Sequence, residues 1–263
     1  MKPKPLITTW FKILKVAVSL NGFRQYIFYL SNLDVYRFIE YSNTMSMIDK
    51  IKNKNVIVEL GAGYSVSPLL CNSKVLDINR QSCNWQKKNG IDSTIADMCN
   101  IPFKTNSVNI IVAISSIEHV PDDRKVYIEI NRILKDDGYL IVSVPYSPEK
   151  SYVIKGLRKG IAVKLLNSTY LEKFIYFKGQ TKTDFLNKVY CKDELFTIVK
   201  EENWKIEEEI IFGNSTFRLF FKIFPPGWFV LKDLIFGFFL YKNNTTKTED
   251  GNTILLKIRK GVT

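Results

Sequence analysis

Histidine is almost absent from this chain: among 263 residues there is one, His119. A metal centre built from several histidines is therefore excluded. Cysteine is sparse as well. Cys71, Cys83, Cys99 and Cys191 form no Cys-x-x-Cys pair and no metal-ligand spacing. They read as reduced thiols of a cytoplasmic protein, and no metal is expected. Long apolar runs are also missing. None reaches the roughly 20 residues that a membrane-crossing helix requires. Near the start, Lys12 and Lys15 interrupt the apolar stretch and no small-residue cleavage site follows, which argues against a secretory signal. No internal repeat and no extended low-complexity segment is present.

Positive charge is what the chain has in excess. Lysine and arginine number 38 against 26 acids, a formal net charge of +12. The excess is local. Residues 51–145 are nearly balanced at +1, whereas residues 1–50 carry +4 and residues 146–200 carry +6. Such patches suit an anionic partner: a phosphate, a nucleic acid or an acidic lipid surface. Solvated lysine is the plainer account of any one of these residues.

The balanced centre holds five strand signals separated by helix-length segments, the pattern of a parallel sheet wound with helices on both faces. The first is Val56-Ile57-Val58, running into Glu59-Leu60-Gly61-Ala62-Gly63. Glycines there can take backbone angles closed to other residues and let a ligand touch the main chain. Val75-Leu76-Asp77-Ile78 and Ile95-Ala96-Asp97-Met98 follow as acid-bearing strand ends. Residues 107–115 form a fourth strand that leads to Ser116-Ile117-Glu118-His119-Val120-Pro121, and residues 139–144 form a fifth, after Asp137-Gly138. A carboxylate at Asp77, ending strand two after a glycine turn, is placed to accept ribose hydroxyls, as in dinucleotide folds. The competing account is a helix cap.

In this order the motifs resemble the class I S-adenosylmethionine-dependent methyltransferases, in the branch with a Leu-Glu-His-Val-like motif after strand four. The match rests on Glu59 to Gly63, Asp77, Asp97-Met98 with Ile101-Pro102-Phe103, Ile117 to Val120, and Asn131-Arg132-Ile133-Leu134-Lys135-Asp136-Asp137-Gly138-Tyr139. It is close over about residues 55–146 and loose over 190–212. The resemblance implies a Rossmann-like, doubly wound α/β fold with a seven-stranded sheet of order 3-2-1-4-5-7-6. It also implies S-adenosylmethionine as cofactor, leaving as S-adenosylhomocysteine. The residues expected to hold it are Glu59, Gly61, Ala62, Gly63, Asp77, Ile78, Asp97, Met98, Ser115 and Ser116. Glu59 would orient the turn and the methionine amino group, and Asp97 would take the adenine amino group while Met98 packs on the ring. His119, at the carboxyl end of strand four, is the candidate base for a hydroxyl acceptor, because imidazole ionises near neutral pH. It can equally be a cofactor-shell or capping histidine. Relatives with Glu-x-x-Glu-His bind a divalent metal, but Ser115 stands at the first acid position here. Asn109 replaces an aspartate usual within strand four, and the Asn/Asp-Pro-Pro-Tyr sequence that marks methylation of exocyclic base nitrogens is missing.

The flanks divide the chain into an N-terminal helical extension, residues 1–50, and a methyltransferase domain, residues 51–263, with two insertions. In the extension, Ile7, Trp10, Phe11, Leu14 and Val18 share one helical face. The aromatic stretch containing Tyr36 and Tyr41 is expected to lie near the pocket. The insertion at 147–189 interleaves lysines with aromatics and is expected to be a substrate lid. Residues 190–202 then read as a helix and 204–212 and 253–259 as strands six and seven. The insertion at 213–252 contains an intensely apolar stretch, 217–241, opening on Phe217 and closing on Tyr241. Peripheral membrane contact at the cytoplasmic face, a dimer interface and a cover over the active site all fit it. The reading is methyl transfer to oxygen of a small-molecule, lipid-linked or glycan acceptor. Its rivals are an RNA methyltransferase and a non-catalytic binding protein that keeps the fold.

Overall fold

A computed structural model describes residues 35–65, 67–157, 184–213 and 252–261. Helix α1 (Val35–Asp49) precedes β1 (Ile57–Leu60), α2 (Ser67–Cys71), β2 (Lys74–Asp77), α3 (Arg80–Lys88), β3 (Ser93–Ile95) and β4 (Val108–Ile114). A 3-10 turn, Ile117–His119, leads to α4 (Asp123–Ile133) and β5 (Leu134–Pro145). Then come β6 (Tyr152–Leu157), β7 (Asp184–Val189), α5 (Lys192–Glu201), β8 (Trp204–Phe212) and β9 (Thr253–Lys260).

Seven strands make one sheet in the order β3-β2-β1-β4-β5-β9-β8. The first five run parallel, and β9 enters antiparallel between β5 and β8. With β8 and β9 as strands six and seven, this is the expected 3-2-1-4-5-7-6 topology. All seven residues of β4 are buried, as a central strand covered on both faces demands. Its side chains alternate between two cores. Ile110, Val112 and Ile114 pack with Ile39, Met45 and Ile48 of α1, whereas Ile111 and Ala113 pack with Val126, Ile130 and Ile133 of α4. The two-residue strand period thus divides one apolar run between two helical layers. Asn79 caps α3 by accepting from the amides of Gln81 (2.8 Å) and Ser82 (3.2 Å), which fixes where β2 ends and the helix begins.

Two expectations, both on strand bounds, are corrected. The third strand is Ser93–Ile95 and stops before Asp97, which lies in the turn beyond it. The fifth strand starts at Leu134, so Asp137-Gly138 sits inside it rather than before it. Leu134 already pairs with Val108, the register shifts between Val108 and Ile110, and Asp137 takes φ 61° as the irregularity is absorbed. The described ends of the 147–189 insertion form an antiparallel ribbon, β6 with β7, separate from the main sheet. The expected helix over residues 6–20, the centre of that insertion and the apolar stretch 217–241 lie outside the described residues. Among the described residues no helix is long and apolar enough to cross a membrane.

Candidate active site

The carboxyl ends of β1, β2 and β4 bring the glycine turn, Asp77 and Ser116 together. Gly61 takes φ 66° and its amide donates to the Leu76 carbonyl (2.7 Å). A Cβ there would lie 2.8 Å from Ser116 Cβ and 3.0 Å from Met98 Cε, so the turn can pass beneath these side chains only as glycine. Gly63, at φ 59°, differs: a Cβ on it would meet nothing within 4 Å. Open space lies over this residue, bounded by its own amide, which donates to Asp77 Oδ2 (2.8 Å). Asp77 Oδ1 accepts from the Asn79 amide (2.8 Å). An ionised carboxylate has about four acceptor positions, and Asp77 therefore ties β2 to the turn while keeping capacity for a further donor. Ala62 closes the turn by accepting from the Ser65 amide (3.0 Å). Ile78 is 70% exposed and Ile95 44% exposed, two apolar surfaces beside Asp77 and Asp97. Asp97 is exposed, with Oδ1 accepting from the Cys99 amide (2.8 Å).

Glu59 behaves otherwise than a ligand-facing acid. It is buried, and its oxygens accept from the hydroxyls of Ser67 and, at 3.3 Å, Ser73. Ser65 lies 2.7 Å from Ser67 and 2.8 Å from the Tyr41 hydroxyl. A hydroxyl chain thus runs from α1 through the back of the glycine turn to Glu59. Burial pushes the Glu59 carboxyl up to about 7, opposed by its serine hydrogen bonds. In this geometry both Glu59 oxygens are occupied by protein hydroxyls.

Beyond strand four, Ser115 takes φ 46°, a left-handed conformation uncommon for serine. Its amide donates to Ser143 (carbonyl at 3.0 Å, hydroxyl at 3.1 Å), and its hydroxyl donates to Glu40 Oε1 (2.8 Å). Ser143 donates to the same oxygen (2.8 Å), and Arg37 donates to Glu40 Oε2 (2.8 Å). Glu40 is 3% exposed and comes from α1, which therefore belongs to the site. Sequence reasoning brought Tyr41 here and missed Glu40. The only linear signal for it is an acid flanked by aromatic residues three positions after Arg37.

The 3-10 turn presents Glu118 and His119. Glu118 is 2% exposed, and its Oε2 has no hydrogen-bond partner. Its Oε1 lies 3.9 Å from His119 Nε2, and the His119 side chain is 47% exposed. Burial pushes the Glu118 carboxyl up to about 8. Ser116 Oγ is likewise buried without a partner. Behind the turn, Asp123 Oδ2 accepts from Lys188 (2.7 Å) and from the Tyr190 hydroxyl (2.8 Å), and Lys188 also pairs with Glu194 (2.6 Å). This network seats the β6–β7 ribbon against α4 and was not anticipated. A cavity of about 280 Å³ lined by Met45, Ile48, Ile57 and Leu70 opens at the other end of β1, and none of the residues above line it. Among the described residues no cluster of three or more metal-ligating side chains exists.

Residues 58–142, which carry the glycine turn, Asp77, Asp97, Ser115, Ser116, Glu118 and His119, match the family model described as a methyltransferase domain. Over that stretch the chain is similar to methyltransferase domains, and its sheet has the order of the Rossmann-like methyltransferase fold. A solved S-adenosylmethionine-dependent methyltransferase from Methanosarcina mazei shares the fold at a TM-score of 0.53 and 9% identity, over 83% of this chain and 98% of that one. One from Mesorhizobium loti does so at 0.52 and 12% identity, over 84% and 98%. The cyclase SpnF matches at 0.53 and 12% identity, over 84% and 81%, so the methyltransferase fold is not tied to a single chemistry. In sequence, the chain is 24% identical to an uncharacterised protein of Methanocaldococcus jannaschii over 161 residues, 60% of this chain and 64% of that protein. The chain thus spans under two thirds of the length of that curated relative. In this fold, the surroundings of Gly63, Asp77 and Ser116 fit S-adenosylmethionine: open space over a bare main chain, a carboxylate with acceptor capacity, and a buried hydroxyl in want of a partner.

Proposed function

We propose that the chain transfers the methyl group of S-adenosylmethionine to oxygen of a small-molecule, lipid-linked or glycan acceptor. The observation that carries this reading is the Gly63–Asp77 hydrogen bond beside open space, at the carboxyl end of a sheet of methyltransferase order. Asp77 would hold the ribose hydroxyls, Ile78 and Met98 would pack on the adenine, and Asp97 would accept from the adenine amino group. Gly63 leaves the main chain accessible, Gly61 lets the turn pass beneath Ser116 and Met98, and Ser116 offers its unpaired hydroxyl. When bound, S-adenosylmethionine supplies an already activated methyl, so the protein's part is chiefly alignment. His119 takes the proton that the acceptor hydroxyl loses as its oxygen gains the methyl, while the carbon–sulfur electron pair stays on sulfur.

The acceptor belongs at an anionic surface. The basic excess of residues 146–200 and the apolar stretch 217–241 support that assignment, from sequence pattern alone. Co-sedimentation with vesicles containing acidic lipid tests it: a protein that stays in the supernatant at low salt leaves only soluble acceptors. Salt-sensitive RNA binding would favour the RNA rival instead.

The cofactor reading is tested by calorimetric titration of S-adenosylmethionine and S-adenosylhomocysteine into wild type and Asp77→Ala. We expect both to bind wild type, and the variant to lose about 1–3 kcal/mol of affinity for a lost charged hydrogen-bond partner. Absence of binding by folded wild type would leave a methyltransferase fold used for something else.

A further inference from the structure

Glu118, in the 3-10 turn beyond β4, is a buried carboxylate that the reaction outlined above leaves unused. Its position is unusual on three counts. It is 2% exposed, one oxygen has no partner, and the other faces the imidazole of a half-exposed His119 at 3.9 Å. A buried acid without a full set of hydrogen bonds is costly to keep, and Glu118 stands in the 3-10 turn four residues past the carboxyl end of β4.

We propose that Glu118 and His119 act as a carboxyl–imidazole pair, in which Glu118 sets the proton affinity of the imidazole that receives the acceptor's proton. Glu118 is a positioning residue acting through His119. The proposal rests on the methyl-transfer reading for its purpose, although the pairing itself does not. In the step, the acceptor O–H bond breaks and its proton passes to the imidazole. The acceptor oxygen bonds the methyl carbon, and the pair from the broken carbon–sulfur bond remains on sulfur. The imidazolium so formed is stabilised when Glu118 is ionised and loses that stabilisation when Glu118 is protonated. Because burial raises the Glu118 carboxyl to about 8, the pair gains basicity on the alkaline side of neutrality.

Among the described residues, the charged and titratable groups that act on Glu118 come from three elements. From α1 come Arg37, which lowers its proton affinity, and Glu40, which raises it. From α4 comes Tyr127, with Asp123 behind it, and from the end of β7 comes Tyr190, hydrogen-bonded to Asp123 beside Lys188. Burial pushes both tyrosines well above their ordinary range, so neither ionises near pH 8.

Because His119 is the sole histidine, its imidazole can be followed as a single NMR resonance in the whole labelled protein, without cofactor or acceptor. The expected wild-type titration has two inflections, the imidazole's own and a second near pH 8 from Glu118. Glu118→Gln should leave one, Glu118→Asp should displace the second, and Glu40→Gln should retain both. A single inflection in wild type overturns the proposal whether or not any variant folds. Two inflections persisting in Glu118→Gln overturn it as well. Neither result bears on calorimetric binding of S-adenosylhomocysteine, so a failed pair and a failed methyltransferase reading remain distinguishable.

Discussion

Replacing Glu40 by alanine should unfasten α1 from the sheet, and the size of the effect follows from its contacts. Oε1 accepts two serine hydroxyls at 2.8 Å each. A hydrogen bond to a charged group contributes about 1.5–3 kcal/mol. The Arg37 contact adds less, because that side chain is 40% exposed and solvent-screened pairs contribute roughly 0–1 kcal/mol. Ser143 is wholly buried, so deleting its acceptor strands a hydroxyl. Water entering the vacated space offsets part of this. We expect Glu40→Ala to lose about 3 kcal/mol, which for a domain of this size lowers the melting temperature by roughly 6–12 °C. Glu40→Gln keeps an oxygen for the serines and should lose only about 1 kcal/mol. Urea unfolding followed by circular dichroism measures both. A cycle with Ser143→Ala should show a coupling of about 1 kcal/mol or more. If Glu40→Ala lies within about 0.5 kcal/mol of wild type, or adds independently to Ser143→Ala, the latch is not what holds α1, and the reasoning fails.

Gly61→Ala should destabilise the protein by about 1–3 kcal/mol through the clash with Ser116 on top of backbone strain. Gly63→Ala meets only strain in the empty protein and should show its larger effect in calorimetry, as weakened S-adenosylhomocysteine binding. Stability should fall as pH rises from about 5 to 8. Glu59 and Glu118 both have folded values above the ordinary carboxylate value, so the native state binds more protons over that window and each unit of rise favours unfolding. Glu59→Gln and Glu118→Gln should each flatten the difference between urea curves at the two pH values; an unchanged slope in both would contradict it. Arg132 donates to the Phe103 and Ile101 carbonyls (2.8 Å each) and to both oxygens of Glu129. Arg132→Lys cannot reproduce that fork. It should lower stability by about 1–2 kcal/mol and loosen the turn carrying Asp97, measurable as faster amide exchange at Cys99.

The sheet was legible because its strands are continuous apolar runs ended by glycine or acid, a signal local enough to survive without knowing the partners. The bounds of β8 are those expected, and β9 runs one residue further. The start of β5 was not legible: Asp136-Asp137-Gly138 has the chemistry of a turn, and only the pairing of the flanking Leu134 with Val108 and Tyr139 with Ile110 carries the strand through it. The Asp77 and glycine-turn geometry could be anticipated because both members sit at strand ends that a parallel sheet must align. Glu40 could not. Its partners lie 75 and 103 residues away in sequence, and nothing along the helix signals which of its residues will meet them. The β6–β7 ribbon was hidden by composition, since lysines and aromatics obscure a two-residue alternation.

The placement of β9 has a consequence for how the chain is made. Strand β8 hydrogen-bonds within the sheet only to β9, and β9 in turn fills the open side of β5. On a ribosome adding about 5–20 residues per second, β9 emerges roughly 5–20 s after β5. Throughout that interval β5, with Ile141, Val142 and Val144 already committed to the interior, presents an unpaired edge, and β8 has no strand to join. The nascent protein therefore passes through a stage at which a neighbouring copy's strand competes with its own, and slowing translation between the two strands should raise the yield of aggregates rather than of folded protein.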